Sequence, residues 1–251
     1  MKKLLLQSAL LAAGFLLLAG CTNVATFDYS AAAEPMVSFA GPPEAKSIAV
    51  LPFLDQRSRK SLQQLTPAAD SGSFYLGLLP LMPYGYVKKP FPERSDDFVS
   101  LGRFHFNPSL DLAEASVLSL KASRLFGRVE LADSAGRTDA EYLWRGSVNN
   151  TFYSGAMLTY CISYFLSPAL WAVGAPEGVS RNALGVSFEL VERATGRTVW
   201  RYDYDGEDYI VHWIYARIGK DVSLYADLMR QALNLALSDL APRLPELQRS
   251  R

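Results

Sequence analysis

Two cysteines, two histidines and one run of acids are the side chains that stand out as able to do chemistry here. Cys161 lies in an apolar stretch with no base near it in sequence, so an inert buried thiol is expected rather than a nucleophile. His105 and His212 are far apart and lack metal-ligand spacing; each is expected at a surface or an interface. The run Asp203-Tyr204-Asp205-Gly206-Glu207-Asp208 is acidic enough for calcium, but its glycine is misplaced for an EF-hand loop, and a solvated strand end is expected. GxSxG, a glycine-rich phosphate loop and HExxH are all absent. No catalytic residue, no metal site and no dissociable cofactor is therefore expected. Serine, aspartate and histidine are present, but no spacing places them together as a hydrolase would need.

Cys21 differs because of what precedes it. Lys2 and Lys3 form a basic start, and Leu4 to Ala19 is apolar apart from Gln7 and Ser8. That is the layout of a secretory signal peptide, and it is short for a spanning helix. Leu18-Ala19-Gly20-Cys21 resembles the bacterial lipoprotein signal, the lipobox. The resemblance implies that the Cys21 thiol receives diacylglycerol, that cleavage occurs before it, and that the freed amine takes a third acyl chain. Each buried methylene contributes roughly 0.8 kcal/mol, so two chains suffice for stable anchoring. Thr22 and Asn23 follow, and the absence of Asp beside Cys21 lacks the family's inner-membrane retention signal, favouring the bacterial outer membrane, periplasm-facing. The competing reading is an ordinary signal peptide or an uncleaved anchor, with Cys21 incidental.

The elements that must follow Cys21 can be read in order. Residues 1–20 are read as the signal peptide and 21–46 as the lipidated cysteine with a flexible tether, small, polar and containing Pro35, Pro42 and Pro43. A single domain is expected over 47–242, with a tail at 243–251. Charge is balanced, 25 Lys+Arg against 25 Asp+Glu, which gives no electrostatic case for nucleic acid. Once Cys21 is acylated only one thiol remains, so the fold must be held by its core.

Ser47 to Phe53 reads as a buried strand closed by Pro52. Asn107-Pro108 starts a helix running to about Phe126, with Leu110, Ala113, Val117, Leu120 and Leu125 inward and Gly127 as its stop. Val129–Leu131 and Glu141–Val148 are expected strands, the second with Tyr142 and Trp144 on one face. Ala183–Glu192 and Thr198–Tyr204 alternate around Ala194-Thr195-Gly196 and read as a hairpin. A last helix spans 221 to 240; its apolar face carries Tyr225, Leu228, Met229, Ala232, Leu233 and Ala236, opposite a stripe of Ser223, Asp227, Arg230, Asn234 and Ser238. The fold class is therefore α+β, an α/β sandwich: a mixed sheet of about four to five strands with two main helices packed on it.

Two uncharged insertions interrupt this plan. Residues 71–87 contain three glycines and two internal prolines, which prevent a regular helix. Residues 154–176 belong to a longer stretch without charge, and two short helical pieces with a bend at Pro168 are expected there. Leu78, Leu79, Tyr84 and Tyr86 in the first, and Tyr160, Tyr164, Phe165 and Trp171 in the second, are candidate contacts to a membrane or a partner. Cover by the protein's own core is the alternative for both.

The order of elements, with Leu51-Pro52-Phe53, Leu125-Phe126-Gly127-Arg128-Val129, Ala140 to Gly146 and Thr195-Gly196-Arg197-Thr198-Val199-Trp200, resembles the α/β domain of curli-export channel lipoproteins (CsgG-like) and of the amino-terminal part of TolB-type proteins. The insertions do not alternate like the barrel strands of the curli channel, so pore formation does not carry over. The chain also looks like uncharacterised bacterial lipoproteins. The expected function is a non-enzymatic, lipid-anchored envelope scaffold or accessory subunit in outer-membrane assembly, secretion or export. It would work with a protein partner or as a homo-oligomer. A periplasmic lipid- or glycan-binding module is the alternative.

Overall fold

The structure, a computed structural model, describes residues 24–40, 44–57, 84–89, 94–95, 103–158, 160, 167–213 and 223–245. Among them the strands are β1 Val24–Thr26, β2 Glu44–Val50, β3 Leu54–Asp55, β4 Tyr84–Lys89, β5 Arg94–Ser95, β6 Arg103–His105, β7 Phe126–Leu131, β8 Tyr142–Met157, β9 Gly178–Glu192 and β10 Thr198–His212. The α-helices are α1 Pro108–Ser123, α2 Ser167–Ala172 and α3 Ser223–Leu240.

The α+β class expected from the sequence is what forms. β8, β9 and β10 make a long antiparallel meander, and β2 joins β8 to β7 with both pairings parallel. β9 lines one edge of β8 throughout. The other edge is taken in turn by β2 at Tyr142–Trp144, β3 at Ser147 and Val148, and β4 at 153–157. The two short additions bring the main sheet to seven strands, and β1, β6 and β5 form a separate small sheet.

Strands β8 to β10 run further than their alternation indicates. In β8 the register slips between Val148 and Asn150. That bulge holds Thr151 and Tyr153 on the face already occupied by Trp144 and Val148, where strict alternation would have turned them away. Gly146 lies directly beneath the Phe53 ring, where a Cβ would stand only 2.2 Å from it and has no room.

Helix α1 begins at Pro108, but Asn107 makes no side-chain cap; instead the Asn107 N–H donates to Asp111 Oδ2 at 2.6 Å. The helix ends at Ser123, earlier than Gly127, because Arg124 itself takes the left-handed conformation (φ 59°). Leu110 is 45% exposed and Leu112 takes the inward position. Beside Leu112 and Leu120 the buried face is made of small residues, Ala113, Ala115, Ser116, Ser119 and Ser123. Ser116 and Ser123 return their hydroxyls to the carbonyls of Leu112 and Leu120, so burying them leaves no donor unpaired.

Helix α3 lays Tyr225, Leu228, Met229, Ala232, Leu233 and Ala236 into the core, as its periodicity indicates. It is also pinned to the edge strand: Trp200 Nε1 donates to Asp239 Oδ2 at 2.9 Å, and Tyr204 Oη to Gln231 Oε1 at 3.2 Å. No described helix is long and apolar enough to cross a membrane.

Candidate functional site

The middle of the polar stripe of α3, at Asp227, Arg230 and Asn234, is covered by chain, while Ser238 is exposed. Ala33 N–H donates to Asp227 Oδ1 at 2.7 Å; Val37 N–H donates to Asn234 Oδ1, and Asn234 Nδ2 donates to the Pro35 carbonyl, both at 3.0 Å. Asn234 thus acts as a peptide group offered sideways to an extended chain. Arg230, 3% exposed, donates to the carbonyls of Tyr29 and Glu34, and its guanidinium carbon lies 4.2 Å from the centre of the Tyr29 ring. Burial pushes the Tyr29 phenol up from its ordinary value, and its hydroxyl meets Ser119 on α1. Phe39 N–H donates to the Ser123 carbonyl at the far end of α1. Residues 27–39, expected as tether, are therefore a strap laid over both helices, forming a third layer above sheet and helices.

A second polar group lies inside the body, on the helix-facing side of β8 to β10. Ser180 Oγ is 2.9 Å from His212 Nε2 and 3.5 Å from Tyr153 Oη. Thr151 Oγ1 accepts from Arg57 Nη1 at 2.8 Å, and Arg57 also grips Asp55 through Nε at 2.9 Å and Nη2 at 2.7 Å. The Arg57 guanidinium holds the Asp55 carboxyl below its ordinary value. Glu177 and Asn182 are buried in the same stretch of β9 and its approach. The Tyr153 ring lies along its own strand over Gly155, whose missing Cβ would stand 2.6 Å from the phenol oxygen. Any side chain there would displace the Tyr153 hydroxyl from Ser180.

The Ser180–His212 separation is that of a nucleophile and its base. Its setting is different, since Ser180 is 4% and His212 6% exposed and the serine hydroxyl is shared with a tyrosine. His212, expected at a surface or interface, is thus an internal residue, while His105 is exposed. Arg57, Thr151 and Ser180 belong to no motif in the sequence, and Arg230 stands there only as one member of a polar helix stripe. The signal was present: the inward positions of β9 read Leu190, Phe188, Val186 and Leu184, and then Asn182 and Ser180.

The connection between β8 and β9 holds the described part of the second insertion. Residues 154–157 belong to β8 itself. Trp171 is buried and its indole N–H donates to the Leu158 carbonyl at 2.9 Å; the Tyr160 hydroxyl donates to the Pro176 carbonyl at 2.6 Å. Tyr160 holds a positive φ of 56°. Of the other candidate contacts, Tyr84 and Tyr86 lie in β4, opposite Met157 and Ala156. Cys21, Leu78, Leu79, Tyr164 and Phe165, together with Cys161, lie outside the described residues.

These elements define an α+β domain on a mixed sheet, with its amino-terminal segment as part of the packing. No protein-family model matches the chain, and no curated protein matches it. Among solved structures it is similar to a Xanthomonas campestris protein of the DUF330 family, at 8% identity and TM-score 0.42, over 89% of this chain and 99% of that one. It is also similar to the PelC dodecamer from Paraburkholderia phytofirmans (14% identity, TM-score 0.34, 80% and 93% covered) and to lipoprotein GNA1162 from Neisseria meningitidis (10%, 0.22, 80% and 99%). At these scores the similarities carry no argument about what this chain does.

Proposed function

We propose that this chain is a non-enzymatic bacterial envelope protein, held to the outer membrane by acyl chains on Cys21, and acting as a scaffold or accessory subunit in assembly, secretion or export. The observation that carries this reading is the strap. Residues directly downstream of the lipobox-like Leu18–Cys21 are built into the helix layer through Tyr29, Arg230 and Asn234. A pull on the lipid would be borne by the core and not by a loose linker. The non-enzymatic half rests on the enclosure of the Ser180–His212 pair.

Replacing Cys21 with Ser tests the anchor. The variant should leave the membrane fraction and lose the acyl mass. If it stays with membranes at the mass of the wild-type product, the anchor reading fails. Labelling of the purified protein with a serine-reactive fluorophosphonate should leave Ser180 unmodified, and modification there would overturn the non-enzymatic reading. Photo-crosslinkers at exposed Asp205 and Leu235 should capture one discrete envelope protein or a second copy; an uncrosslinked monomer in intact envelopes would remove the scaffold role.

A further inference from the structure

The strap also sets how far the folded body can stand from the lipid. Val24 pairs with Arg103 in the parallel β1–β6 ladder, and only Thr22 and Asn23 separate it from Cys21. Three residues of extended chain reach at most about 11 Å. From Phe27, contacts lead to the later part of β8. Phe27 stacks on Phe106 at 5.4 Å, Phe106 stacks on Tyr225 at 4.7 Å, and the Tyr225 hydroxyl donates to the Phe152 carbonyl in β8 at 2.9 Å. The first described residues and the part of β8 that leads into the β8–β9 connection are therefore neighbours.

That connection is chemically distinct. No charged residue occurs between Arg145 and Glu177. Val173 is 82% exposed there, next to exposed Ala172, with Tyr160 at 39%. On the neighbouring strands Arg181 of β9 is paired with Glu207 of β10. An uncharged tip with an exposed valine and a tyrosine is the composition that settles in the headgroup region of a bilayer. The opposite end of the 15-residue β9, about 50 Å away, is the turn at Ala194 flanked by Arg193 and Arg197.

We infer that the body lies directly on the membrane that holds it, with the α2 connection around Tyr160 and Val173 set into the headgroup layer and the Ala194 turn pointing away. This rests on acylation of Cys21 and adds an orientation to it. The test uses the full lipidated chain in vesicles of phosphatidylethanolamine and phosphatidylglycerol. Val173→Cys and Ala194→Cys, each with Cys161→Ser, are labelled with an environment-sensitive nitrobenzoxadiazole dye. The Val173 label should shift to the blue and be quenched several-fold by a headgroup-depth spin-labelled lipid, while the Ala194 label should show neither. A flexible ten-residue insertion between Asn23 and Val24 should keep the protein on vesicles yet weaken the quenching. In chains with native Cys161, chymotrypsin cleavage at Tyr160 should be slow on vesicles and faster with the insertion, which gives a readout independent of labelling.

An unshifted Val173 label on protein whose mass shows the acyl chains overturns the orientation while leaving the anchor standing. Protein without acyl mass overturns both. A shift that appears without lipid and grows with protein concentration assigns the patch to a second copy and overturns membrane docking.

Discussion

Strands β8, β9 and β10 present one face to the helices, and its two halves are built differently. Near the β9–β10 turn the face is Trp144, Phe188, Leu190 and Trp200, with ring centres of Trp144 lying 5.3 Å from Phe188 and 5.6 Å from Trp200. Toward the strap's entry it becomes Thr151, Tyr153, Ser180 and His212. Both halves are buried, but burial stabilises the first and costs the second unless each polar atom finds a partner. The apolar half holds the fold together. The polar half fixes one arrangement of strands, because its hydrogen bonds close only in a single register. Even the apolar half carries a misfit, since Trp144 Nε1 has no hydrogen-bond partner among the described residues.

The comparison breaks most severely at Trp144. Trp144→Ala should lose about 3–5 kcal/mol of unfolding free energy, read from urea melts, as a large cavity opens between Phe188 and Trp200. Trp144→Phe should lose far less, because it removes an unpaired donor along with part of the ring. Equal losses for the two variants would show that the indole N–H is satisfied.

Arg230→Met comes next. It should cost about 1.5–3 kcal/mol, the range for hydrogen bonds to a charged group, and should speed proteolysis within 24–40 before the sheet unfolds. Methionine keeps much of the packing against Tyr29, so what is lost is donation to the carbonyls of Tyr29 and Glu34. Global unfolding with no early strap cleavage would mean that the strap and the helix layer open as one unit.

How much of this was legible follows the same division. The apolar face of α3 and the centre of the β9–β10 hairpin could be read because burial leaves a periodic trace. The ends of the strands could not. At Asn182 and Ser180 the inward positions turn polar, and at Val148–Asn150 the bulge breaks the count. The stripe of Asp227, Arg230 and Asn234 looks like a solvent face in one dimension, because nothing local announces that a segment some 195 residues away will use it, the separation being 194 for the Asp227–Ala33 bond and 196 for Arg230–Glu34. Cys21 is the reverse case: its chemistry is legible by resemblance to the lipobox, and its surroundings fall outside the described structure.

Ser180→Ala sharpens the polar half. It should cost about 1 kcal/mol, an ordinary hydrogen bond, and less in a Tyr153→Phe background if the 3.5 Å contact contributes. Additive losses in the double variant would make Ser180 a partner of His212 alone, which the shorter 2.9 Å contact already favours.

The smallest effect is confined to high pH. Tyr204, on the helix-facing side of β10, has its phenol pushed from 10.0 up to about 12, first by burial and then by the negative charges of Asp205 and Asp208. A group whose pKa is higher folded than unfolded adds stability that is complete below its unfolded value and lost as pH rises through the folded one. The wild-type protein should therefore weaken between pH 10 and 12, where the unfolded phenol ionises first. Tyr204→Phe removes the titrating hydroxyl together with its bond to Gln231. At neutral pH the variant should be slightly weaker, by about 0.5–1.5 kcal/mol at most. Its alkaline decline should be shallower, so the two stability curves converge or cross above pH 10. Parallel curves across that range would place the alkaline sensitivity at another tyrosine, with Tyr29 under the Arg230 guanidinium the next to examine.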